Sequence, residues 1–70
     1  MKQTYTAVVR QSDEWWIGTL EEIPGVNCQE PTKAELMETL KVTLKESLEF
    51  NRQEARQAAG TEYQEELIEP

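Results

Sequence analysis

The feature that most constrains the fold is a leucine at every fourth position: Leu36, Leu40, Leu44 and Leu48, with Met37 alongside and Ala55, Ala58 and Ala59 extending the stripe. Recurrence at helical spacing predicts one amphipathic helix whose apolar face must be covered by something else. Its start is written in "PTKAEL", where Pro31 blocks an earlier beginning, Thr32 can cap the free amide groups and Glu35 stands three residues on, the spacing of a capping box. Gly60 supplies the stop. From Lys33 to about Ala59 such a helix is about 40 Å long at 1.5 Å per residue, longer than a small sheet can cover, so its last turns are expected to project or fray.

The cover must come from the residues before it. Over residues 4–10, Tyr5, Ala7 and Val9 alternate with Thr4, Thr6, Val8 and Arg10, the period of a strand. After a turn at "QSDE" the run "WWIGTLE" places Trp15, Ile17 and Thr19 on one face and Trp16, Gly18 and Leu20 on the other. In "EIPGV", Pro24 and Gly25 suit the second and third positions of a type II turn, which would close a hairpin. "VNCQ", residues 26–29, then reads as a short third strand with Val26 and Cys28 facing one way. The last ten residues, "TEYQEELIEP", set Tyr63, Leu67 and Ile68 among acids and read as a fourth, edge strand.

The expectation is therefore an α+β fold of order β-β-β-α-β. A right-handed helical crossover would lay the fourth strand beside the first, giving a small sheet of order 3-2-1-4 covered on one face by the long helix. At 70 residues this is read as a single domain, residues 1–70, that buries only about 60% of its unfolded surface, so association would help it.

Charge narrows the class of partner. The helix region holds Lys33, Lys41, Lys45, Arg52 and Arg56 against Glu35, Glu38, Glu46, Glu49 and Glu54, five against five. Elsewhere Lys2 and Arg10 face Asp13, Glu14, Glu21, Glu22, Glu30, Glu62, Glu65, Glu66 and Glu69, so the whole formal charge of -7 lies outside the helix. Such a balance repels phosphate backbones and favours a basic partner. Within the helix, pairs such as Glu38 with Lys41 and Glu49 with Arg52 read as a solvated face.

Chemistry is harder to find. With no histidine, the commonest general base is missing, and neither a serine triad nor a histidine-ligated metal can be built. Cys28 is the sole cysteine, which excludes a CxxC pair and reads as a small buried hydrophobe rather than a nucleophile. The one aspartate is Asp13, in a turn, and the adjacent Glu21 and Glu22 point to opposite faces, a poor start for a metal site. No cofactor, metal or catalytic residue is expected, and no apolar leader or spanning segment opens the chain, which suggests the cytoplasm. Consecutive strand residues face opposite ways, so one of Trp15 and Trp16 is expected under the helix and the other on the open face, either in an interface or packed on the tail or a loop.

Taken together, "YTAVV", "WWIGTLEEIPGV" and "PTKAELMETLKVTLKESLEF" resemble the HicB-like antitoxins, whose amino-terminal domain has a partial ribonuclease H fold of order β-β-β-α-β. Pro24 and Gly25 match that family's hairpin turn, and Thr32 and Glu35 its helix start, all four in structural roles. Two departures stand out: Val26 follows Pro-Gly where the family often has cysteine, and "EP" precedes Thr32 where a glycine is usual. What the resemblance implies is a non-enzymatic protein that sequesters a small basic, HicA-like, mRNA-cleaving toxin of a type II toxin-antitoxin system. The helix-turn-helix or ribbon-helix-helix of full-length members is missing, so DNA binding is not expected. Candidate partner-binding residues are Trp15, Trp16, Glu21, Glu22, Tyr63, Glu65, Glu66 and Glu69. Two alternatives remain open: a stand-alone homo-oligomeric structural or regulatory module, dimeric or larger, and a vestigial metal-dependent nuclease with its ion near Asp13 or Glu21.

Overall fold

A computed structural model describes residues 4–68. Three strands precede one helix: β1 (Ala7–Ser12), β2 (Trp15–Leu20), β3 (Ile23–Glu30) and α1 (Lys33–Ala59). They form an antiparallel sheet of order β1-β2-β3, an α+β arrangement in which α1 crosses one sheet face. The order 3-2-1-4 does not form, because residues 61–68 adopt no strand; Glu69 and Pro70 lie outside the described residues.

Both hairpins are tighter than the sequence suggests. In the first, Ser12 pairs with Trp15 around Asp13 and Glu14, and Asp13 takes a φ of 56°, a left-handed conformation that aspartate tolerates better than most residues. In the second, Leu20 pairs with Ile23, so the turn is Glu21-Glu22 rather than Pro24-Gly25. Burial decides this: Leu20, Ile23 and Val26 are all core residues, and a turn at Glu21-Glu22 exposes two charges while keeping the three apolar side chains inside. Pairing resumes at Thr19 with Asn27, so Pro24, Gly25 and Val26 form a bulge within β3, where Gly25 supplies a φ of 88°. The third strand accordingly spans Ile23–Glu30 rather than residues 26–29, and the first spans Ala7–Ser12 rather than residues 4–10, with Thr4, Tyr5 and Thr6 outside the strand.

The helix packs on the sheet as a ladder. Lys33 lies over Trp16, Leu36 and Leu40 close on Gly18, Leu40 and Leu44 border Leu20, and Ser47 and Phe50 face Ile23 and Val26. Leu36 and Leu40 are 0% and 2% exposed, whereas Leu44 and Leu48 are half-buried. Gly18 sets the spacing, since an added Cβ would lie 2.8 Å from Leu40 Cδ1 and 3.1 Å from Leu36 Cδ2.

Capping follows the sequence in part. Thr32 Oγ1 accepts a hydrogen bond from the Glu35 amide at 3.1 Å; the reciprocal bond from the Thr32 amide to Glu35 is not made among the described residues. Gly60, with φ 88°, donates to the Arg56 and Gln57 carbonyls at 3.3 Å and closes the helix. Every residue from 49 to 59 is exposed, and beyond Asn51, which still borders Ile23 and Val26, about 12 Å of helix projects past the core at 1.5 Å per residue. The overhang explains the missing fourth strand: it delivers the tail far beyond the edge of β1. All of residues 61–68 are exposed.

Candidate protein-binding surface

The uncovered sheet face is built by alternation. Tyr5, Ala7, Val9, Trp16, Leu20 and Cys28 pack on or around the core under α1, which leaves Val8, Arg10, Trp15, Ile17, Thr19, Asn27 and Gln29 on the opposite side. Register sets the neighbours there: Val8 opposes Thr19, which opposes Asn27, and Arg10 opposes Ile17, which opposes Gln29. Trp15 is 44% exposed, Val8 is exposed and Ile17 is half-buried, a short apolar band on a protein otherwise rich in charge. Acidic turns stand at both of its ends, Asp13 and Glu14 at one and Glu21 and Glu22 at the other.

Backbone geometry fixes the second of those turns. Glu22 Oε1 accepts from the Thr6 amide at 2.7 Å, and the Glu21 amide donates to the Thr6 carbonyl at 3.0 Å, so the turn is tied to the chain entering β1. The amide bond to the ionised form holds the Glu22 carboxyl below its ordinary value.

The two tryptophans divide as consecutive strand residues must. Trp15 lies on the open face; Trp16 is half-buried on the helix side with Lys33 Nζ 6.0 Å from its ring centroid, a cation-π contact that anchors the first helical turn. Trp16 therefore belongs to the packing of α1 and not to the open face. Tyr63 and Glu65 lie elsewhere again, lining a cleft of about 210 Å³ with Arg52, Ala55, Arg56 and Ala59 on the overhanging helix. Arg56 Nε donates to Glu65 Oε1 at 3.2 Å, which raises the arginine pKa further and neutralises one tail acid. Glu66 is exposed, and Glu69 lies outside the described residues.

The candidate residues thus do not converge. Trp15, Glu21 and Glu22 border the open face, Trp16 is under the helix, and Tyr63 and Glu65 fold against the helix end. The acidity outside α1 falls into separate regions, because the two hairpin turns sit at opposite ends of a six-residue β2, about 20 Å apart. Val8 and Ile17 are not among the candidates read from the sequence; the period-two pattern places Ile17 on the face of Trp15, whereas Val8 joins that face only through the register of β1 on β2.

Cys28 is half-buried against the core, its Sγ 3.7 Å from Thr43 Oγ1. Glu30 accepts from Thr39 Oγ1 at 2.6 Å and is held against the helix. Among the described residues, no group of three potential metal ligands converges, and no helix is long and apolar enough to cross a membrane.

No protein-family model matches the chain, and no curated protein or solved structure matches it either.

Proposed function

We propose that this chain is a non-enzymatic protein-binding module that acts in the cytoplasm on a cationic protein, in the manner of an antitoxin. The observation that carries this reading is the uncovered sheet face: Trp15, Val8 and Ile17 form an apolar centre, with Asp13, Glu14, Glu21 and Glu22 at its ends. An aromatic anchor inside a polar rim is the usual anatomy of a binding hot spot, and four carboxylates at the ends of the face outweigh the one cation on it, Arg10 opposite Ile17, which favours a basic partner. Electrostatic attraction would speed encounter and the apolar centre would set the lifetime.

The resemblance to HicB-like antitoxins supports a small basic ribonuclease toxin as that partner, whose RNA-binding surface an acidic protein would mask. The site proposed is the open face and its two hairpin turns; Trp16, Tyr63 and Glu65 are assigned to other roles. Co-expression with a small basic protein encoded beside this chain tests the reading. Co-elution and protection of RNA are expected, and both should be lost with Trp15→Glu while the fold persists. Absence of any complex with the unaltered chain would overturn it.

A further inference from the structure

The open-face reading leaves the edge of β1 unused. The Thr6 carbonyl accepts from the Glu21 amide and the Thr6 amide donates to Glu22, both on the β2 side. By strand alternation the N–H and C=O groups of Ala7, Val9 and Gln11 therefore point outward from the sheet. The other edge, β3, carries Pro24 and a bulge, devices that discourage strand addition; β1 reads AVVRQS and has neither proline nor bulge. The helix also leaves this edge clear, because α1 packs chiefly on β2 and β3 and stands back from β1.

An identical edge is a partner that fits it. A two-fold axis perpendicular to the sheet would pair β1 with β1 antiparallel and keep both helices on one face, about four strand spacings or 19 Å apart. Helices in contact stand about 8–10 Å apart, so neither copy obstructs the other. Because the outward groups belong to odd-numbered residues, three central registers are open, with Val8, Val9 or Arg10 on the axis. An axis through Arg10 sets two guanidinium groups directly opposite, and one through Val9 leaves them diagonal neighbours. An axis through Val8 pairs Val8 with Val8 and Ala7 with Val9, and lays Arg10 opposite the other copy's Thr6. The Thr6 amide is held by Glu22 Oε1 at 2.7 Å, so each Arg10 comes beside a carboxylate. On a chain of net charge -7, with Arg10 and Lys2 the only basic residues outside α1, this register brings the cation of the edge to an acidic turn.

We propose that this chain forms a two-fold dimer by pairing β1 with β1 of a second copy, Val8 on the axis, to give one continuous six-stranded sheet. Ala7 and Val9 of opposite copies exchange the hydrogen bonds that a single copy leaves unmade. The contact is isologous, so it closes at a dimer and removes the unprotected edge from both copies. Val8 keeps its side chain on the open face, where the two apolar bands meet across the axis. The dimer neither needs nor blocks the partner proposed above.

Light scattering coupled to size exclusion on the full chain, from micromolar to millimolar concentration, should show a dimer. Ala7→Pro should weaken it by roughly ten- to a hundredfold, since each copy loses a seam hydrogen bond. Its circular dichroism should be unchanged, because proline is tolerated at the first residue of an edge strand whose N–H faces outward. Register is read by oxidation in a Cys28→Ser background. Val8→Cys sets two thiols across a non-hydrogen-bonded pair with Cα atoms about 4.5 Å apart and should give a covalent dimer. Thr19→Cys, on the same face one strand in, lies about 14 Å from its counterpart and should not. Trp15→Glu should leave the dimer intact, which separates this proposal from the partner reading. A monomer throughout, a dimer that Ala7→Pro leaves unweakened, or cross-linking no faster at position 8 than at position 19 would overturn the proposal.

Discussion

Replacing Gly18 with valine sets two effects of opposite sign against each other. By strand propensity the change is favourable by on the order of 1 kcal/mol, since glycine loses the most backbone freedom and valine suits a pleated surface. Packing opposes it. A Cβ alone would lie 2.8 Å from Leu40 Cδ1, with Leu36 Cδ2 and Cδ1 at 3.1 and 3.4 Å, and valine adds two methyl groups beyond that atom. The leucine tips cannot swing into solvent, because these side chains are the most completely buried in the core. Overpacking of this kind costs about 1–3 kcal/mol, and valine should fall at the upper end, which leaves a net loss of about 2 kcal/mol. Chains of this size have roughly 4–10 kcal/mol of stability, so the loss is large. Urea unfolding followed by circular dichroism, at one fixed protein concentration, should show the midpoint falling by about 2 M for a slope near 1 kcal/mol per M. Gly18→Ala should fall less. Leu40→Val should cost less in the Gly18→Ala background than alone, because it clears the atom nearest the new methyl group. A Gly18→Val chain that unfolds at the same or higher urea would refute the helix-on-sheet spacing on which the argument stands.

Other consequences follow from single contacts. Thr32→Ala removes the acceptor of the Glu35 amide and should cost about 1 kcal/mol in thermal unfolding, with Thr32→Ser close to wild type. Glu22 should titrate below the ordinary 4.5 by carboxyl NMR, since ionisation strengthens its bond to the Thr6 amide. Its folded value being lowered, its contribution is complete above pH 4.5 and fades as pH falls through the folded value; Glu22→Gln should remove that component of the acid transition. Gly25→Ala meets no atom within 4 Å but must hold a φ of 88°, so a loss of about 1 kcal/mol with no change in the sheet is expected. Trp16→Ala should destabilise by roughly 2 kcal/mol through lost packing on the helix side, whereas Trp15→Ala should leave the urea midpoint nearly unchanged.

Much of this architecture was written in local sequence. The leucine repeat, Thr32 and Gly60 define α1 because helix periodicity, cap and stop depend on residues within a turn or two of each other. The same holds for the alternation that puts Trp15 and Trp16 on opposite faces of β2, and for the overhang, which follows from helix length alone. Pairing is a different matter. Pro24-Gly25 has the chemistry of a turn, yet Leu20 pairs with Ile23 because the core must take Leu20, Ile23 and Val26 together, and a bulge at Pro24-Gly25 reconciles that burial with continued pairing of β3. The tail sets Tyr63, Leu67 and Ile68 among acids and reads as an edge strand, but no strand forms over residues 61–68, where the projecting helix leaves the chain without an edge to pair with. The distribution of charge was likewise legible as a sum and not as a surface. Counting places the excess acid outside α1, and only folding separates Asp13 and Glu14 from Glu21 and Glu22 and brings Glu65 to Arg56. Properties carried by neighbours in the chain were thus determined locally, whereas strand register and the make-up of the open face were settled by which distant side chains the core could bury together.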